Sequence, residues 1–190
     1  MNTILFDPTR TDRFDELTYA EQVVLWGMRV WACGYRNEDP GMFAEAREGL
    51  HSAGLSARGI HAIDALMTII AISTTASIDM RCHRCTSVSG DEHRLIAAVA
   101  EAQRPSGPAS AARAGPARRF MSLQGQEARD LIGVWLPPSA ARMSRDPIAD
   151  LALDLKSRDL ILRERKWIDR MAIDGAPISW RGHLPDVTLH

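Results

Sequence analysis

The chain has 190 residues, 45% of them apolar and 25% charged, a balance that excludes wholesale disorder and allows one substantial core or two small ones. A net charge of −1 offers no basic surplus for neutralising phosphates, so a nucleic-acid partner is not expected. The opening MNTILFDPTRTDRFDE lacks a basic stretch followed by an apolar one. The most apolar run, ALMTIIAI (65–72), is too short to span a bilayer, so a cytoplasmic protein with no membrane partner is expected.

The first element is predicted over Leu17–Gly34. Thr18 and Glu21 have the spacing of a capping box, in which each side chain satisfies a free backbone N–H at the helix start. Gly34 is placed just past the end, as a left-handed stop. Val23, Val24, Trp26, Val30 and Trp31 leave little polar surface, and Trp26 and Trp31 are assigned to the core. Asp39-Pro40 then reads as an N-cap followed by proline at the first helical position, with Met42, Phe43, Ala46 and Leu50 on one face and Gly54 closing the helix. Ser56 caps a third helix, whose Ile60, Ile63, Leu66, Met67 and Ile70 recur at three- and four-residue steps, leaving His61, Asp64 and Thr68 on the other side.

The chain loosens at STTASIDM (73–80) and enters RCHRCTSVSGDEHRL (81–95). Ser89 and Glu92 form a second capping box, and Leu95, Ile96 and Val99 carry a helix to about Gln103. Cys82 and Cys85 therefore belong to a loop and His93 to the first turn of the next helix. Residues 104–119, RPSGPASAARAGPARR, read as a flexible linker or loop solvated by its arginines. Beyond it, Gln126–Leu136 is predicted as a helix stopped by Pro137-Pro138, and Asp146-Pro147 opens another with Ile148, Leu151, Ala152 and Leu155 on one face. That helix continues, or kinks near Ser157, into DLILRERKWIDRM (159–171). The tail after Asp174-Gly175 is expected to be extended, as a short hairpin or an arm lying on another surface.

The predicted fold is all-α: an irregular bundle of about six or seven helices. It is organised as an N-terminal helical unit (1–103) carrying the CxxC loop, a linker (104–119) and a C-terminal helical segment (120–190) that shares one core with the first or stands beside it.

Three kinds of chemistry can be read from the residues. Zinc prefers four thiolate or imidazole ligands in a tetrahedron, and C-x2-C supplies two of them from a tight turn. Cys82 and Cys85 fill that half and His93 is the third candidate; a fourth would come from Cys33, His83, His51 or His61, since no second CxxC or HxxxH follows. The same pair could act as a redox dithiol, favoured by Arg81, His83 and Arg84 beside it, although no helix begins at Cys82 to lower its pKa. The plainer reading is a loop in which cysteine serves as a small apolar side chain.

Asp91-Glu92-His93 is explained by helix capping, because carboxylates are favourable at the positive end of the dipole. His61 and Asp64, one turn apart, would suit a general base, but no nucleophile accompanies them. FAEAREGLHSAGLSARGIHAIDAL (43–66) has the shape of a helix–turn–helix, with only Arg58 and His61 to read bases. Among the five tryptophans, Trp167 and Trp180 sit among charges, and with Arg181 they make the combination that anchors protein interfaces.

Phosphate-loop, dinucleotide and nucleophile-elbow motifs are missing. The expectation is a non-enzymatic interaction or regulatory protein with a protein partner or self-association through Trp167, Trp180 and Arg181. The alternatives are a zinc-binding or thiol-redox regulator using Cys82, Cys85 and His93, and a helix–turn–helix DNA-binding regulator.

Overall fold

A computed structural model describes residues 13–104 and 131–163. The regular structure of the described residues is helical, with one isolated antiparallel bridge between Arg13 and Ser87 and no strand. A 3-10 turn, Phe14–Glu16, precedes α1 (Tyr19–Asn37), α2 (Pro40–Ser52), α3 (Ala57–Ser73) and α4 (Gly90–Gln103); after residue 130 come α5 (Pro138–Met143) and α6 (Arg145–Ser157). Among the described residues, no helix is long and apolar enough to cross a membrane.

The helix starts follow the local chemistry. Both capping boxes form: Thr18 with Glu21, and Ser89 with Glu92. Asp39 caps α2 by accepting from the Gly41 N–H, with Pro40 at the first helical position, and Ser56 caps α3 by accepting from Arg58 and Gly59. Gly54 turns the chain between α2 and α3 with φ +99°, where a Cβ would be strained.

The ends depart from expectation at three places. Helix α1 does not stop at Gly34 but runs to Asn37, and Glu38 takes the left-handed conformation at φ 51°. Gly34 serves packing instead: a Cβ there would lie 3.0 Å from the Met42 Cβ and 3.2 Å from the Asp39 carbonyl oxygen. Second, Pro138 is the first residue of α5 rather than a stop, and the helix before it already ends at Ile132, with 133–135 in a turn. Third, α6 begins at Arg145, one residue before Asp146, and ends at Ser157 instead of continuing; Asp159 turns left-handed at φ 58° and residues 160–163 are not helical. The predicted helical stretch beyond residue 163 and the C-terminal arm lie outside the described residues.

One apolar cluster runs from Leu17 through α1, α3 and α4 to Ile148, Leu151, Leu155 and Leu162. Helix α2 packs on α1, while α6 lies along α3 and against α4. The predicted inner face of α3 is realised: Ile63, Leu66, Met67 and Ile70 are buried, and His61, Asp64 and Thr68 are exposed. Polar links hold α6 and the segment that follows it. Asp154 accepts from the Ser56 N–H (3.0 Å) and the Ser56 hydroxyl (2.5 Å), joining α6 to the start of α3. Gln103, at the end of α4, donates to the Leu160 carbonyl and accepts from the Leu162 N–H, both at 2.9 Å.

Candidate functional site: the cysteine turn and its buried support

Between α3 and α4 the chain crosses the molecule without regular structure, and its backbone groups are satisfied one by one. Ile78, Met80 and Val88 are buried pegs. The Arg36 guanidinium donates to the Met80 carbonyl (2.6 Å), and Asp91 accepts from the Asp79 N–H (2.8 Å). The Ser89 hydroxyl donates to the Asp79 carbonyl. Cys82–Cys85 then forms a tight turn closed by the Cys85 N–H donating to the Cys82 carbonyl at 3.0 Å. The two Cα atoms are 5.2 Å apart and the sulfurs are joined as a disulfide. Cys82 is exposed and Cys85 is half-buried.

The turn stands on a buried ion pair. Arg29 of α1 and Glu92 of α4 are both fully buried. Arg29 Nε donates to Glu92 Oε1 (2.7 Å) and Nη2 to Oε2 (2.8 Å), the two-pronged geometry that matches guanidinium to carboxylate. Arg29 Nη1 donates to the Cys85 carbonyl (2.7 Å), and Nη2 also donates to the Ser87 carbonyl (2.6 Å). Glu92 accepts in addition from the Arg81 N–H (2.9 Å) and the Ser89 N–H (2.8 Å). Each carboxylate oxygen thus accepts two hydrogen bonds, which fills its acceptor capacity. The pair pins the backbone on both sides of the disulfide: Arg81 before it, Cys85, Ser87 and Ser89 after it.

The N-terminal segment leans on the same turn. Phe14 N–H donates to the Thr86 carbonyl (2.7 Å), Arg13 bridges Ser87, and the Arg29 guanidinium carbon lies 5.1 Å from the centre of the Phe14 ring.

The expected metal set is only partly assembled. Cys82 and Cys85 meet, but in a disulfide, and His93 is buried in α4. Among the described residues, no three His, Cys, Asp or Glu side chains cluster as metal ligands. Cys33 is a free, half-buried thiol that accepts from the Asn37 side chain at 3.5 Å. Trp167, Trp180 and Arg181 lie outside the described residues, as do residues 105–119 of the expected linker.

Two surface grooves flank α2. One, of about 660 Å³ between α2 and α3, is lined by Arg47, Glu48, His51, Ile60, His61 and Asp64. Asp64 accepts there from the Trp31 indole N–H at 2.7 Å, so it is anchored to α1. Arg58, the other residue considered for reading bases, pairs with Asp150 of α6 at 2.7 Å. The second groove, of about 330 Å³ between α1 and α2, is lined by Phe14, Tyr19, Gln22, Val23, Trp26, Gly49 and Ala53. Trp31 is in the core as expected, but Trp26 is only partly buried because it walls this groove.

Arg29 is the residue that reading the sequence missed. Its signal was present: an arginine within the apolar stretch of α1, between Val24 and Trp31, requires a buried acceptor of opposite charge. Glu92, understood as a helix cap, is also that acceptor.

Three comparisons with known proteins, against family models, curated proteins and solved structures, give no match.

Proposed function

We propose that the chain is a thiol-redox regulatory protein in which Cys82 and Cys85 alternate between a disulfide and a dithiol. The observation that supports this reading is the contrast between an exposed sulfur pair and a rigid, buried support. A disulfide closing so short a ring removes little entropy from the unfolded chain, about 2 kcal/mol, against nearly 5 for a loop of a hundred residues. The loop is already held by Arg29 and Glu92, so a staple adds little. A reversible bond on an accessible turn is the better use of the pair, particularly in the reducing cytoplasm expected for this chain.

The exchange balances with an external dithiol as reductant. Its thiolate attacks the exposed Cys82 sulfur, the Cys82–Cys85 bond breaks, and Cys85 leaves as a thiolate that takes up a proton. The second thiol of the reductant then attacks the mixed disulfide and Cys82 is released as a thiol. Two electrons and two protons pass to the protein, and the reductant departs as its own disulfide.

Alkylation with mass spectrometry tests this. Protein purified without reductant and alkylated after denaturation should be modified at Cys33 alone; after dithiol treatment all three cysteines should react, and reoxidation should restore the first pattern. Titration against dithiothreitol should follow a two-electron curve. Three cysteines that all still react after oxidation would sink the proposal, and about one equivalent of zinc shielding Cys82 and Cys85 until chelation would favour the metal alternative.

A further inference from the structure

The cysteine turn touches more than its own loop. Its Cys85 carbonyl and the Ser87 carbonyl hold Arg29, whose guanidinium lies against the Phe14 ring, and the intervening Thr86 carbonyl holds the Phe14 N–H. Phe14 is in turn one wall of the aromatic groove shared with Tyr19, Val23 and Trp26. The 3-10 turn that carries Phe14 is the shortest element described. It has three residues, none of them buried, and no side-chain cap. Segments with few buried contacts open at the lowest free energy.

On the redox reading just given, we infer that the state of the Cys82–Cys85 pair is transmitted to this groove, with Phe14 as its movable wall. In the disulfide form the closed turn fixes the carbonyls of Cys85, Thr86 and Ser87 in the positions that Arg29 and Phe14 require. Reduction frees the 82–85 ring. Arg29 keeps its two bonds to Glu92 and still holds the Cys85 and Ser87 carbonyls, but the Thr86 carbonyl between them, which Arg29 does not hold, loses the constraint from the cysteine side. The Phe14 N–H bond and the Arg13–Ser87 bridge then open together, and the partly buried Trp26 face of the groove is uncovered beside the already exposed Tyr19. The bistable element is the 13–16 segment, and the disulfide biases it without any change in the helical core.

Hydrogen exchange on the full chain tests this, comparing the oxidised protein, the dithiol-reduced protein and the Cys82→Ser/Cys85→Ser variant. Reduction should speed exchange at least tenfold in peptides covering 13–18 and 85–88, while peptides from α3 and the middle of α4 stay unchanged. The serine variant should match the reduced protein; if it does not fold, reduced wild type carries the comparison alone. Alkylation of the same samples separates two failures. If the pair cycles but the 13–18 peptide exchanges equally in both states, the coupling is overturned and the redox reading stands. If all three cysteines still react in the oxidant-treated sample, both fall.

Discussion

Arg29 and Glu92 are 63 residues apart in the chain, yet they form a two-pronged ion pair with neither side chain exposed. Removing two charges from water is costly, and their attraction offsets that cost only when the remaining donors and acceptors are also satisfied. Here they are, by four backbone groups of the cysteine loop. The pair therefore joins α1, α4 and the loop into one unit.

Removing either partner leaves the other charge buried and alone. Arg29→Met and Glu92→Leu should each destabilise the fold by about 3–5 kcal/mol. The double variant should cost clearly less than the sum of the two, because no orphaned charge remains. Urea unfolding of the four proteins measures the coupling; strict additivity, within about 0.5 kcal/mol, would show that the two side chains do not depend on each other.

How much of this was legible depended on distance along the chain. The caps at Thr18, Asp39, Ser56 and Ser89 were readable because a capping hydrogen bond spans two or three residues and its chemistry is complete within them. The faces of α3 were readable because period alone divides Ile63 and Leu66 from His61 and Asp64. Gly34 and Pro138 were misread because one residue type serves opposite purposes: glycine admits close packing as well as a left-handed stop, and proline opens helices as well as ending them. The support of the cysteine turn was not readable from local signals. Nothing near Arg29 announces Glu92, and nothing near Phe14 announces Thr86.

The contact between Gly59 and Asp154 shows how closely α6 lies on α3. A Cβ at Gly59 would sit 2.2 Å from Asp154 Oδ2 and 2.8 Å from its Cγ. Asp154 cannot easily yield, since it holds both the N–H and the hydroxyl of Ser56 and is paired with Arg158. Gly59→Ala should therefore destabilise by about 1–3 kcal/mol. In an Asp154→Ala background the carboxylate contacts are gone and only a tight 3.1 Å contact with the Cβ of residue 154 remains, while alanine's better helix propensity contributes up to about 1 kcal/mol in its favour. A clearly smaller cost of Gly59→Ala in that background, read by thermal or urea unfolding, is expected; equal destabilisation in both would refute the close approach.

Gly49 makes the same point between α2 and α1. A Cβ there would come within 2.1 Å of the Trp26 ring, a rigid wall of the aromatic groove. Gly49→Ala should cost about 1–3 kcal/mol and shift the α1 and α2 resonances that line the groove. By contrast a Cβ at Gly90 meets no atom within 4 Å, so Gly90→Ala serves as the control and should stay within about 0.5 kcal/mol of wild type. Equal effects at the two positions would contradict the packing described.

Asp91 makes one face of the cysteine loop sensitive to pH. Burial beside the loop raises its carboxyl above the usual range, and Asp79 and Glu92 push the same way, against the hydrogen bond from the Asp79 N–H and the nearby Arg94. A carboxyl whose folded pKa exceeds its unfolded one binds its proton more tightly when folded. The ionised form is thus a cost to stability near neutral pH, and that cost fades as pH falls through the raised folded value toward the ordinary one near 3.9. Asp91→Asn keeps an oxygen to accept from Asp79 and removes the charge. Since the carboxylate retains partial access to water, the variant should be more stable than wild type at pH 7 by only about a few tenths of a kcal/mol, with the gap closing toward pH 4. Denaturant midpoints of both proteins at several pH values in this window give the answer. A variant less stable at pH 7 would mean that the carboxylate's attraction to the α4 N-terminus outweighs its desolvation.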